Sequence, residues 1–373
     1  MTFTADDHRY MARALQLARH GLYTTHPNPR VGCVIVRHGQ IVGEGWHAKA
    51  GEAHAEIHAL RMAGEAARGA DVYVTLEPCS HFGRTPPCAN ALIQAGVARV
   101  VAAMVDPNPL VAGNGLALLQ QAGIATASGL LESDARALNP GFITRMALNR
   151  PYLRLKMAMS LDGRTAMESG ESVWITGEAA RRDVQFWRAQ AGAILTGIGT
   201  VLADDPSLNV RLTAQELGID GEVRQPVRVV LDSALRFPLT AQMLHLPGQI
   251  LIYTCNNDEA KIAQLAQFGV KVRCFNGDKL ALTQVMAALV EDGITEVHVE
   301  AGATLTGALV AQGFADEMVI YLAAHLMGSR ARALFDLPHL AHMHERIKLE
   351  IRDIRAVGQD WRMIINPKPE VKN

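Results

Sequence analysis

Three metal-binding side chains that lie far apart in the chain constrain its fold more than any other feature. His54 stands in His54-Ala55-Glu56, Cys79 ends Thr75-Leu76-Glu77-Pro78-Cys79, and Cys88 follows Ser80-His81-Phe82-Gly83-Arg84-Thr85-Pro86-Pro87. One imidazole and two thiolates are a three-donor set for zinc with the fourth tetrahedral position open, which marks a catalytic site. Glu56, two residues after His54, places a proton-carrying carboxylate beside the metal. Zinc brings the pKa of a bound water to about 7. His-x-Glu followed by Pro-Cys and a second cysteine is the pattern of hydrolytic deamination at an amidine carbon of a heterocycle. The usual Pro-Cys-x-x-Cys spacing is stretched here, since Ser80 to Pro87 separate the two thiols. Two plainer readings stand beside this one: buried structural thiols with a core histidine, or a closed zinc taking a fourth ligand from His47, His58 or His81. Nothing pairs a second ligand with His54 at zinc-finger spacing.

At 373 residues, two domains of ordinary size are expected. The formal net charge of −1 carries no basic excess for a nucleic-acid track, so no nucleic-acid partner is expected. Five cysteines are too few and too unevenly placed for a disulfide scaffold. Cys33, Cys255 and Cys274 sit in apolar, strand-like runs and are expected to be reduced core residues. The start Met1-Thr2-Phe3-Thr4-Ala5-Asp6-Asp7 lacks the regions of a signal peptide. No apolar run reaches the length of a membrane span. The expected location is the cytoplasm.

The hydrophobic pattern predicts a helix over 5–19 capped by Thr4, then strands near 31–36 and 41–46 joined through His38-Gly39. A helix is predicted from His54 to about Ala67. His54 and Glu56 converge only if His54 sits at the helix mouth, because residues two apart in a helix point to nearly opposite sides. A short strand over 72–76 delivers Glu77-Pro78-Cys79. A second helix begins after Pro86-Pro87 with Cys88 in its first turn, where a thiolate is favoured. With a strand over 99–104, this alternation predicts a three-layer α/β/α domain. Loop residues Asn28, His47, His81, Arg84, Asp106 and Asn108 flank the zinc stretch. They read either as substrate contacts or as turn chemistry.

The break at Asn149-Arg150-Pro151 divides the chain into domains 1–147 and 148–373. After it the pattern restarts with a strand over 152–159, a helix near 177–190 and a strand over 193–196. Strands near 227–231, 249–253, 270–274 and 295–299 then alternate with helices near 258–268, 279–291 and 303–312. This predicts a second wound α/β sheet with ligands at the strand C-termini. There is no Gly-x-Gly-x-x-Gly fingerprint. Instead Val297 to Gly307 reads as strand, small residues and helix start. Such a start either binds phosphate through backbone N–H groups or packs a helix tightly on a strand.

His54-Ala55-Glu56 with the run from Glu77 to Cys88 resembles the bifunctional deaminase–reductases of riboflavin biosynthesis, in which the long inter-cysteine loop is usual. Ser160-Leu161-Asp162-Gly163, Ala203-Asp204-Asp205-Pro206 and Glu300-Ala301-Gly302 are similar to the reductase half of that family, so the resemblance covers nearly the whole chain. It implies an N-terminal cytidine-deaminase-like zinc domain of three α/β/α layers and a C-terminal dihydrofolate-reductase-like α/β domain. It further implies one zinc per chain on His54, Cys79 and Cys88, with Glu56 catalytic. Asn28, His47, Arg84 and Asn108 would hold a pyrimidine ribose phosphate in the first domain. NADPH contacts carry over to Ala158, Trp174, Thr200, Asp204, Ser233 and the run Gly302, Ala303, Thr304, Leu305, Thr306, Gly307 and Ala308. Substrate contacts in the second domain carry over to Ser172, Arg188, Leu208, Arg211 and Glu300. The arginines would suit a phosphate, which matches their planar fork of donors.

The activity so implied is deamination of 2,5-diamino-6-(5-phosphoribosylamino)pyrimidin-4-one, then NADPH-dependent reduction to 5-amino-6-(5-phosphoribitylamino)uracil. No acid–base pair for the reduction is visible in the sequence. The implied partner is a small pyrimidine ribose phosphate, with no membrane and room for a homo-oligomer. The alternative is a nucleic-acid deaminase with a C-terminal RNA-binding domain. It calls for a basic or aromatic-rich appendage, whereas aromatic residues make up 5% of the chain. A zinc-binding interaction protein without activity is a third class.

Overall fold

The computed structural model describes residues 2–80, 87–109 and 111–368. The chain divides into two compact units, one of Met1–Arg150 with Gly218–Gly221 counted in it, the other of Pro151–Leu217 and Glu222–Asn373.

The first unit opens on α1 (Ala5–Ala18), whose capping box joins Thr4 and Asp7. Strands β1 (Gly32–Arg37) and β2 (Gln40–Trp46) form an antiparallel hairpin. Its turn places His38 and Gly39 at φ 52° and 77°, a left-handed pair that matches the twist of the strands. Then come α2 (Ala55–Ala63), β3 (Asp71–Val74), α3 (Cys88–Ala95), β4 (Arg99–Ala102), α4 (Asn114–Gln121), β5 (Ala125–Ser128), α5 (Glu132–Leu138) and α6 (Pro140–Leu148). The sheet order is β2-β1-β3-β4-β5, with β3, β4 and β5 parallel.

Two tight contacts set the layers. A Cβ on Gly32 would lie 2.0 Å from the Ala14 carbonyl oxygen of α1. A Cβ on Gly45 would lie 2.4 Å from the Ala55 oxygen of α2. Gly32 pairs with Trp46 and Gly45 with Cys33, so the two glycines face opposite sides of the hairpin, and α1 and α2 cover opposite faces. The helix predicted to reach Ala67 ends at Ala63, because Gly64 turns to φ 54° and a 3-10 turn finishes the segment.

The second unit contains β6 (Tyr152–Ser160), β7 (Arg164–Ala166), α7 (Glu178–Gln190), β8 (Ala193–Gly197), α8 (Ile198–Asp204), α9 (Ala214–Leu217), β9 (Val227–Leu231) and β10 (Ile250–Thr254). It continues through α10 (Glu259–Ala266), β11 (Lys271–Cys274), α11 (Leu282–Glu291), β12 (Glu296–Val299), α12 (Ala303–Ala311), β13 (Glu317–Ala323), β14 (Arg332–Ala333), β15 (Leu349–Val357) and β16 (Asp360–Pro367). Nine strands form one sheet in the order β11-β10-β9-β8-β12-β6-β13-β16-β15, all parallel from β11 to β13. The remaining two, β7 and β14, pair separately. On β6, Leu153, Leu155 and Met157 enter the main core, while Arg154, Lys156 and Ala158 face the other side.

The sequence pattern did not announce β13, β15 and β16. Charged residues run through β15, and its pairing shifts between Ile351 and Asp353, which breaks the alternation that marks a strand. Cys33 is buried as expected, but Cys255 is half-buried and Cys274 exposed. Cys274 is the last residue of β11, a strand at the edge of the sheet, where burial is least complete. No helix among the described residues is long and apolar enough to cross a membrane.

Because α2 approaches β2 through Gly45, Gly45→Ala should push the helix off the sheet. Overpacking of this kind costs about 1–3 kcal/mol. Urea denaturation of the variant should show that loss, and unchanged stability would mean that the helix shifts freely.

Candidate active sites

His54 is the N-cap of α2, with φ −74° and ψ 164°, and makes no side-chain cap, so its ring is free to turn toward Cys79 and Cys88. Cys88 is the first residue of α3, behind Pro87. His54 Nδ1 lies 3.2 Å from Cys88 Sγ and 3.7 Å from Cys79 Sγ. All three donor atoms lie within 4.8 Å of one another. A tetrahedral zinc with ordinary Zn–N and Zn–S lengths spaces its donors roughly 3.5–3.8 Å apart, so the set fits the metal. The Cys88 N–H donates to Cys79 Sγ over 3.2 Å. Hydrogen bonding from Cys88 holds the Cys79 thiol down at about 4, against burial, with His54 assisting. The same contact with Cys79, together with burial, pushes the Cys88 thiol up.

Glu56 lies in the first turn of α2 and is 3% exposed. Burial, then the charge on Cys79, raises its carboxyl to about 7. A carboxyl balanced between its two forms near neutrality is suited to taking up and returning a proton.

His54, Glu56 and Cys79 open on a cavity of about 200 Å³. Asn28, His47 and Asp106 line its polar side, and Pro29, Val31, Leu76 and Phe142 its apolar side. His47 Nδ1 lies 3.1 Å from the Ala53 carbonyl oxygen, and Nε2 lies 3.1 Å from Asn28 Nδ2. An Nδ1–H donating to Ala53 leaves Nε2 to accept from the Asn28 amide. The structure therefore brings Asn28 and His47 to the cavity. Asn108 is absent from its lining; the Asn108 N–H donates to Asp106 Oδ1 over 2.8 Å. Arg84 and His81 lie outside the described residues.

Glu77 is a feature that the sequence reading passed over. It is 4% exposed, and its carboxylate accepts from the N–H groups of Asp106 (3.0 Å), Gly113 (3.0 Å), Gly115 (2.8 Å) and Leu116 (3.2 Å). It pins the loop after β4 and the start of α4 beside the zinc edge. An acid at the end of an apolar run and just before Pro78-Cys79, followed downstream by Gly113-Asn114-Gly115, was the available signal. Phe142 had none, because nothing local connects α6 to the cavity.

In the second unit, parallel strands bring Ala158 (β6), Thr200 (after β8), Ser233 (after β9) and Gly302 (after β12) to one edge of the sheet. Gly302 is the exposed N-cap of α12, which no side chain caps, and a Cβ placed on it would meet nothing within 4 Å. An open helix start of this kind fits a nucleotide's phosphates through backbone N–H groups. Ala303, Thr304 and Leu305 form the first turn. Thr306 turns inward and donates from Oγ1 to the Gly302 oxygen, and Gly307 packs against the Asp336 backbone, with Ala308 half-buried behind them. Asp204 and Trp174 are exposed, and the Arg181 guanidinium stacks 4.6 Å from the Trp174 ring. Ser172 is half-buried.

Arg188 differs from its expected place as a fork for phosphate. Its guanidinium grips Glu300 with Nε–Oε1 2.5 Å and Nη2–Oε2 2.9 Å, and Nη1 donates to the Asn209 oxygen. Burial opposes ionisation of Glu300, yet Arg188 holds its carboxyl well below the usual range. Lys156 and His298 face the same pair. Burial lowers both, and His298, at about 3, is neutral at physiological pH. Arg211 is exposed and feels the charges of Arg188 and Glu300. Leu208 is 2% exposed and belongs to the core, which sets it apart from the exposed Arg211.

Residues 4–104 match the family model of the cytidine and deoxycytidylate deaminase zinc-binding region, and residues 151–363 match that of the RibD C-terminal domain. The riboflavin biosynthesis protein RibD of Escherichia coli (strain K12) is 52% identical over 359 residues, covering 95% of this chain and 97% of its own. Its Haemophilus influenzae counterpart is 46% identical over 99% of both chains. The solved structure of Acinetobacter baumannii RibD, form 1, superposes with a TM-score of 0.89 at 47% identity, covering 97% of this chain and 99% of that one. The diaminohydroxyphosphoribosylaminopyrimidine deaminase/5-amino-6-(5-phosphoribosylamino)uracil reductase of Thermotoga maritima gives 0.85 at 31% identity with the same coverage. With a zinc-binding deaminase region in one unit, a RibD reductase region in the other and relatives that span nearly its full length, this chain belongs to the RibD family of bifunctional riboflavin-biosynthesis proteins.

Proposed function

We infer that the chain deaminates 2,5-diamino-6-(5-phosphoribosylamino)pyrimidin-4-one and then reduces the ribosyl chain of the product to a ribityl chain. The observation that carries this reading is the clustering of His54, Cys79 and Cys88 beside the cavity that His54, Cys79 and buried Glu56 line, in a chain whose other unit matches the reductase model along its length. A nucleic-acid deaminase is not favoured, because the C-terminal match is to the RibD reductase region.

His54, Cys79 and Cys88 would hold one zinc per chain, which would supply a Lewis acid that makes water nucleophilic at neutral pH. Glu56 takes a proton from the attacking water and returns one to the amino group as the C2–N bond breaks, so that ammonia leaves and C2 becomes a carbonyl. Asn28 and His47 orient the heterocycle, and Arg84 and Asn108 belong to the same substrate loops.

In the second unit NADPH would supply the hydride. The N–H groups of Ala303 to Leu305 would hold its phosphates, beside Ala158, Thr200, Asp204, Ser233 and Trp174. Arg211 meets the substrate's phosphate, and Arg188 fixes the Glu300 carboxylate against the substrate, near Ser172 and Leu208. Deamination falls to residues before the Asn149–Pro151 break and reduction to those after it. Unpaired thiols suit the reducing cytoplasm. Ile351, Ile354 and Trp361, each about half exposed on one face of β15 and β16, suit a homo-oligomer.

The central test is incubation with the diaminopyrimidine phosphate, with and without NADPH, and identification of the products. Glu56→Gln should keep its zinc and lose ammonia release by about 10²–10⁴-fold; near-normal release would remove Glu56 from the reaction. Cys79→Ser and Cys88→Ser should each lower the zinc content of the purified protein, and Cys33→Ser should not, as read by elemental analysis. Arg211→Ala should slow NADPH oxidation on the deaminated intermediate and leave ammonia release intact. Arg188→Ala strands a buried carboxylate and should also destabilise the protein by about 3–5 kcal/mol in urea. Equal stability of the two arginine variants would refute the distinction drawn between them.

A further inference from the structure

The match to the zinc-binding deaminase region ends at residue 104, but the cavity over the zinc ligands does not. One of its walls is Phe142, from α6. Among the described residues, Phe142 brings the one benzene ring in the lining; the other apolar neighbours are Pro29, Val31 and Leu76. It is half-buried, packed on one side against the core of the first unit.

The position of this ring is fixed by a clamp. Asn139, the N-cap of α6, is 2% exposed and holds the Arg30 main chain from both sides. The Arg30 N–H donates to Asn139 Oδ1 over 2.7 Å, and Asn139 Nδ2 donates to the Arg30 oxygen over 2.9 Å. Arg30 Nη1 adds a bond of 2.7 Å to the Leu138 oxygen. Arg30 stands between Pro29 and Val31, both in the lining. The clamp therefore ties the helix that carries Phe142 directly to another wall of the cavity, across a span of 109 residues.

A flat heterocycle needs polar partners along its edges and an apolar surface against its face. Asn28, His47 and Asp106 offer the first. Resting on the deaminase reading above, we propose that Phe142 determines substrate specificity in the first unit by packing its ring against the face of the diaminopyrimidine. The residues around the metal act on any amidine carbon brought to them, whereas α6 selects the ring that arrives. Stacking of a base on an aromatic side chain is worth roughly 5- to 150-fold in affinity. A wall that only excluded water would need apolar volume and no ring.

The test compares Phe142→Leu with Phe142→Tyr, reading ammonia release from the diaminopyrimidine phosphate and the zinc content of each protein. Leucine keeps the apolar volume and loses the ring, so its KM should rise about 10-fold, with kcat within about twofold and zinc unchanged. Tyrosine keeps the ring and should restore most of that loss. Equal KM values for the two variants, whether both normal or both raised, overturn the proposal. So does a leucine variant that loses kcat and not KM. Failure of the wild-type protein to release ammonia from this substrate would instead overturn the deaminase reading, and the two failures are read from different proteins.

Discussion

Two helix starts must meet at one point for the first unit to work, and much of its architecture follows from that demand. His54 precedes α2 and Cys88 opens α3, while Cys79 arrives from the end of the β3 segment between them. His54 and Cys88 sit at helix starts, whose positive ends favour thiolate and carboxylate alike, and the Cys88 N–H is spent on Cys79 Sγ. Glycine makes the approach feasible, since α2 rests on β2 where a side chain at position 45 would strike the helix backbone. Glu77 holds the opposite rim, with four backbone N–H groups gathered on one buried carboxylate. A charge so heavily hydrogen-bonded can be buried without a cation.

Buried glutamates in the two units meet opposite fates, and the comparison separates their roles. Among the described residues no arginine pairs with Glu56; burial and the neighbouring thiolate destabilise its charged form, and its carboxyl rises to about 7. Glu300 is also largely buried, with its side chain 13% exposed, but Arg188 grips it through two parallel bonds and keeps it ionised. The first can exchange a proton near neutral pH. The second offers a fixed negative charge among Lys156, His298 and Arg211. Desolvation acts on both, and the local partner decides its outcome.

What the sequence determined by itself was local chemistry and period. The zinc donors, the cap at Thr4, the hairpin turn at His38-Gly39, the helix mouth at His54 and most strands of both sheets were legible, because contiguous residues set each of them. The resemblance to the riboflavin-pathway enzymes was legible on the same motifs. β15 and β16 were less so, since a charged, bulged strand has lost the alternation by which strands are known.

Tertiary structure alone decided which distant residues share a site. It paired Arg188 with Glu300 across 112 positions, gave Asn139 to the Arg30 backbone across 109, and set Phe142 over the cavity. It also placed Asp106 in the cavity lining, with Asn108 donating to it from behind. An arginine written in a sequence is a charge with five donors, and only the folded chain determines whether those donors face a ligand or a neighbouring carboxylate. Such pairings depend on how helices settle on sheets, through contacts a few ångströms long between residues a hundred positions apart. No window of sequence contains that information.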